Sequence, residues 1–138
     1  MAGETALPSS ECPDIFQYIS VTLKADTEDL TGTLDSYIMY CEKDTIVDAA
    51  WLSITTVDAS NDATFTLQYV PSGTGPEASG TAFTNAATSG ATADATVAWT
   101  ITETANLVPA GNRIALVVAG TSDVEGINVT MRIRTRVR

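Results

Sequence analysis

Four arginines stand at every second position near the carboxyl end of the chain: Arg132, Arg134, Arg136 and Arg138. Side chains two apart on a strand share a face and stand roughly 7 Å from each other, so such a row forms a ladder of positive charge about 20 Å long. The planar guanidinium fork grips carboxylates bidentately, which makes the row a candidate surface for a second subunit or a partner protein. Two other uses compete with that one. Carboxylates on a neighbouring strand can neutralise the ladder inside the molecule, and phosphates can bind it from outside. Charge argues against the phosphates. The chain holds 17 acidic and 7 basic residues, a net charge of −10; up to Met131 the balance is 3 − 17 = −14. A body of that sign repels nucleic acid and anionic membranes, so neither is an expected partner.

The other reactive groups support little chemistry. There is no histidine, which removes Ser-His-Asp and Cys-His arrangements and the commonest general base. Cys12 and Cys41 form no C-x-x-C pair, and a mixed zinc site has no imidazole to complete it. Both thiols are expected to be free, in a protein made in a reducing cytosol, because the first ten residues lack the basic start and apolar stretch of a signal peptide. Gly73, Gly75 and Ala78 formally match G-x-G-x-x-A, but the surrounding Gly, Pro and Ser do not open a helix inside a βαβ unit. Acidic loops at residues 26–29 and at Asp58, Asn61 and Asp62 lack the spacing of a calcium hand. Seventeen acids make chance carboxylate pairs inevitable, so pairing alone does not signal a glycosidase. The sequon at Asn128 and Thr130 falls inside an expected strand. No catalytic, cofactor or metal site is expected, and the chain is read as a non-enzyme.

The elements that would carry the ladder are strands. Threonine, β-branched and suited to a pleated surface, occurs 22 times. Period-two alternation places Ile15, Ile19, Val21 and Leu23 on one face of a first strand. Further strands are expected over residues 34–41, 46–57 and 64–70, the last with Phe65, Leu67 and Tyr69 inward. Residues 95–101 follow with Val97, Trp99 and Ile101 inward, then 114–119, apolar on both faces and therefore central, and finally 127–138. In the closing strand Ile127, Val129, Met131, Ile133 and Val137 oppose the arginine face. An eighth strand is expected to hide within residues 102–108. Pro109-Ala110-Gly111-Asn112 is expected to form a turn, with proline fixing φ at the second turn position and Gly111 left-handed where the turn ends. Residues 72–94, built of Gly, Ala, Ser, Thr and Pro, read as a long loop anchored by Phe83, with room for a helical turn over 82–88. Residues 1–14, with Pro8 and Pro13 and no periodicity, read as an extended arm. The expectation is an all-β protein: one antiparallel β-sandwich or jelly roll over residues 15–138, preceded by that arm.

The run AWLSITTVDASNDATFTLQYV from Ala49, then GTAFTNAATSG, LVPAGNRIALVVAGT and the alternating final strand, resembles small β-rich virion proteins of tailed bacteriophages, capsid decoration (cement) proteins above all. The likeness covers roughly residues 46–138. It implies a small β-domain, often a homotrimer, that sits on the capsid exterior and clamps neighbouring copies of the major capsid protein, after synthesis in the bacterial host cytoplasm. It also implies a terminal arm that lies on the shell or adds a strand to a neighbouring sheet. Contacts are then expected from the arm (Pro8, Cys12, Pro13, Phe16) and from Arg132, Arg134, Arg136 and Arg138. The alternative is a fibre, tail or receptor-binding module that recognises a host surface glycan, with residues 72–94 as its binding tip.

Overall fold

The computed structural model describes residues 16–23, 36–56, 63–76, 79–88, 94–119 and 125–136. The expected arm and both acidic loops lie outside them. Among the described residues ten strands form two antiparallel sheets, and no helix occurs. The first sheet runs β1 (Gln17–Thr22), β10 (Glu125–Thr135), β3 (Thr45–Thr56), β7 (Thr96–Ala98), with β8 (Leu107–Val108) also on β3. The second runs β2 (Ser36–Tyr40), β9 (Asn112–Ala119), β4 (Thr64–Pro71), β5 (Thr81–Ala82), with β6 (Ala87–Thr88) also on β4. The first four strands alternate between the sheets, so the chain wraps two layers as it proceeds. The seven longer expected strands are β1, β2, β3, β4, β7, β9 and β10, and β8 is the hidden eighth.

The alternation read from the sequence sets which side chains meet between the layers. Leu52 and Ile54 of β3 and Ile127, Val129, Met131 and Ile133 of β10 face Phe65 and Leu67 of β4 and Ile114, Leu116 and Val118 of β9 in one buried cluster. Each such side chain stabilises the fold by about 1.5–3 kcal/mol through the apolar surface it removes from water. β9 lies between β2 and β4, and Ile114, Ala115 and Leu116 are buried in succession. The central position of this strand, apolar on both faces, follows from that double coverage.

What covers the outer side of β9 and β4 is part of the glycine-rich stretch. The Gln68 side chain donates from Nε2 to the Pro76 carbonyl at 2.8 Å, and the Tyr37 hydroxyl donates to the Thr74 carbonyl. Gly80 lies against the sheet so closely that a Cβ would stand 2.6 Å from the Tyr69 carbonyl oxygen and 2.7 Å from Val70 Cγ1. Only glycine permits this approach. Val70 and Ala115, outside the main core, are thereby fully buried.

The helical turn expected over residues 82–88 does not form. Thr81 and Ala82 pair with β4 as β5, Ala87 and Thr88 pair with it as β6, and Thr84 bridges to Ile101. The free edge of β4 offers backbone partners that a single isolated helical turn cannot match, since its nucleation is costly. Phe83 is the anchor, with no exposed surface. The turn after β8 forms over the expected residues 109–112, with proline at its first position rather than its second. Asn112 donates its amide to Pro109, so Pro109 is the first residue and Gly111, at φ 87°, the third.

Cys41 is a buried free thiol beside that turn, where its backbone exchanges hydrogen bonds with Gly111 and Asn112; Cys12 lies outside the described residues. Burial pushes the Cys41 thiol up, and a side-chain hydrogen bond with Thr45 opposes the shift. The folded protein thus holds this proton more tightly than the unfolded chain does. The resulting stability is complete below the unfolded thiol pKa, about 8.5, and is lost as pH rises through the higher folded value. Urea unfolding at pH 7 and pH 10 is expected to show a smaller alkaline loss of stability in Cys41→Ala than in wild type. An equal loss would show that other groups carry it.

Candidate interaction face

The outer face of the first sheet gathers the polar and aromatic side chains that the core excludes. At one end the strands carry short hydroxyl and amide groups in register: Thr22, Asn128, Ser53 and Thr96 lie across β1, β10, β3 and β7. Ser20 Oγ lies 3.0 Å from Asn128 Oδ1 and 3.1 Å from Thr130 Oγ1, and Ser53 and Thr96 hydroxyls are 3.2 Å apart. These bonds tie side chains of β1 to β10 and of β3 to β7.

The other end carries aromatic rings and arginines. Tyr18, opposite Arg132, stacks on Trp51 with ring centroids 6.3 Å apart and planes at 23°. The two rings belong to β1 and β3 and meet over β10. Phe16 is 45% exposed and Tyr18 65%. The Arg132 guanidinium lies over the Phe16 ring, 5.0 Å from its centroid, a geometry in which the ring quadrupole attracts the cation. Arg134 turns the other way, toward β3, with Nε 3.3 Å from Asp48 Oδ2. Successive arginines thus lean to opposite neighbours, which keeps like charges apart. A partly exposed ion pair of this kind stabilises by about 0–1 kcal/mol, so it orients more than it stabilises.

A β-bulge shapes this end. Arg132 stands opposite Ala49 and Ile133 opposite Val47, so Asp48 is an extra residue in β3. Asp48 and Trp51 are three apart, and in a regular strand one of them would point into the core. The inserted residue puts both outside while Val47 and Ala50 remain buried. Beside them, along the edge of β3 where its short partners β7 and β8 follow one another, an open depression of about 730 Å³ is walled by Trp51, Asp48, Arg134, Glu103 and Asn106.

Of the residues expected to make contacts, Phe16, Arg132 and Arg134 come together on this face. Arg136 follows β10, exposed, with its amide bonded to the Asp44 carbonyl. Pro8, Cys12, Pro13 and Arg138 lie outside the described residues. The intramolecular reading of the ladder holds for Arg134, which pairs with Asp48. Tyr18 and Trp51 are the contributors that the charge pattern did not single out. Their signal was present: Phe16 and Tyr18 alternate with the inward residues of β1, as Trp51 does in β3. The Asp48 bulge had no signal in the sequence.

Tyrosine, tryptophan and arginine that are exposed or half-buried together are the composition of protein-contact hot spots. Among the described residues no three histidine, cysteine, aspartate or glutamate side chains gather as metal ligands, and no helix is long and apolar enough to cross a membrane.

No family model and no curated protein matches the chain. Its fold is similar to that of a chain of the cyanophage Pam1 capsid asymmetric unit, with a TM-score of 0.50 and 15% identity over 96% of this chain and 99% of that one. At the level of fold this bears out the resemblance to β-rich phage capsid proteins.

Proposed function

We propose that this chain is a structural virion protein that seats on the outside of a phage capsid and bridges neighbouring copies of the major capsid protein. The observation that carries the reading is the fold likeness to a capsid chain along nearly the whole of both molecules. The strand order supports it: β1-β10-β3-β7 over β2-β9-β4-β5 fits the winding of a jelly roll, a fold much used in viral shells. The aromatic and arginine end of the first sheet supplies the contact surface. β1, the outer strand of that sheet among the described residues, comes after the expected arm of residues 1–14 and offers an edge to which a neighbour's strand can add. Bridging works by repetition, since each copy adds a modest interface and many copies together resist rupture of the shell. A homotrimer satisfies the same geometry with three such faces, and light scattering on the purified protein measures it.

The test mixes purified protein with undecorated capsids and follows binding and rupture temperature. Wild type is expected to bind and to raise the rupture temperature. Arg132→Glu combined with Arg136→Glu reverses two charges on the contact surface and is expected to weaken binding by at least about 3 kcal/mol, more than a hundredfold. Wild type that neither binds nor shifts the rupture temperature would remove the proposal.

A further inference from the structure

We infer that the depression beside Trp51 is a binding site for a neutral sugar. Its volume, about 730 Å³, lies within the range of small-ligand sites, roughly 300–1,000 Å³. Its walls separate into two kinds of surface. The Trp51 indole, half-buried, supplies an apolar flank, and Ala49, Ala50 and Ala98 provide a floor of small side chains beside it. A pyranose ring presents a matching flat patch of C–H groups. The same depression is also lined by the polar side chains of Asp48, Arg134, Asn106 and Glu103. Asp48 accepts hydrogen bonds, Arg134 donates them, and an amide does both. Adjacent sugar hydroxyls, each a donor and an acceptor, are satisfied by acceptors and donors set side by side. The 3.3 Å Asp48–Arg134 pair sets them so.

Charge narrows the ligand class. Two carboxylates, Asp48 and Glu103, and one guanidinium, Arg134, line it, so the rim is net negative and disfavours phosphate, sulfate and uronic acids. The pairing of Asp48 with Arg134 also reduces its pull on a cation. The depression is open to solvent on one side, which suits a hydrated polyol better than an apolar ligand that needs enclosure. The bulge is the structural device behind the site, because without it Asp48 and Trp51 cannot share the outer face. This inference does not depend on capsid attachment.

The experiment is an NMR titration of the isolated full chain. The protein has two tryptophans, Trp51 and Trp99, so the Trp51 indole N–H is a resolved reporter. The probes are glucose, galactose, mannose and N-acetylglucosamine with their linear tetrasaccharides, against inorganic phosphate and tri-lysine. At least one sugar is expected to shift the Trp51 signal saturably, with a dissociation constant in the millimolar range or tighter. Trp51→Ala, read through the remaining backbone signals, and Asp48→Asn, read through Trp51, are each expected to weaken that sugar at least tenfold. The Trp99 signal, in its wild-type position, reports that each variant is folded. The inference is overturned if no sugar saturates the site, if both variants bind as wild type does, or if phosphate or tri-lysine binds there and the sugars do not. No capsid is present, so the result is independent of the capsid test.

Discussion

Replacing Trp99 by alanine is expected to lower the free energy of unfolding by about 3–5 kcal/mol. A small domain is stable by only about 5–15 kcal/mol, so this one change takes a large share. Two losses combine. Trp99 is 5% exposed and packs in the cluster between the sheets, so truncation leaves a cavity lined by side chains that cannot fully collapse. Its indole N–H donates to the Phe65 carbonyl at 2.9 Å. That bond joins the residue that follows β7 to the start of β4, and so ties one sheet to the other. Trp99→Phe separates the two effects. It keeps most of the volume and removes the donor, and is expected to cost about 1–3 kcal/mol, the penalty of losing a buried hydrogen bond. Urea unfolding followed by circular dichroism measures both variants. Equal stability of wild type and Trp99→Phe would show that the bond contributes nothing beyond packing.

Phe83→Ala is expected to have an effect of similar size, about 3–5 kcal/mol, and to add a local one. Phe83 has no exposed surface, and its backbone is held on both sides: its amide donates to Leu67 of β4 at 3.1 Å, and its carbonyl accepts from Thr102 at 2.8 Å. The next residue repeats the link, because the Leu67 amide donates to Thr84 Oγ1 at 2.9 Å and Thr84 bridges to Ile101. Residues 83–85 are thus a strap across one open side of the sandwich. Without the ring the strap keeps its hydrogen bonds and loses the packing that holds it in place. The melting midpoint is expected to fall by about 10 °C or more, and limited proteolysis is expected to cut first between residues 72 and 94. A variant that melts lower yet is cut elsewhere would show that Phe83 stabilises the core without securing this segment.

Both residues illustrate what was legible in the amino-acid order. Trp99 belongs to a clean alternation, and its inward side follows from period two. Phe83 is the one large apolar side chain in a stretch of small ones, and such a residue has nowhere to go but the core. Its partners were not legible. Pairing of residues 81–88 with β4 depends on a strand edge left open by the whole sandwich, and nothing local to those residues encodes it. The expected helical turn failed for that reason: local propensity is weak beside a ready-made edge. Proline's place at the first rather than the second position of its turn has a similar origin, because the Cys41 and Asp44 contacts of Ala110 and Gly111 select which residue begins the turn.

The interaction face divides in the same way. Side-chain alternation is a property of each strand alone, so the sequence by itself determined that Arg132 and Arg134 share a face with Asn128 and Thr130, away from Ile127, Val129, Met131 and Ile133. It also determined the all-β class, the central position of residues 114–119 and the acidic body around a basic strand. Which side chains would meet across strands is a matter of register, and register is settled by packing of the entire core. Only the tertiary structure therefore placed Tyr18 over β10 against Trp51, set Arg132 on Phe16, and turned Arg134 to Asp48. The bulge that brings Asp48 and Trp51 to one surface is a local misfit between β3 and β10. It exists because Val47 and Ala50, an odd number of residues apart, both have to be buried, and no reading of either strand alone contains it.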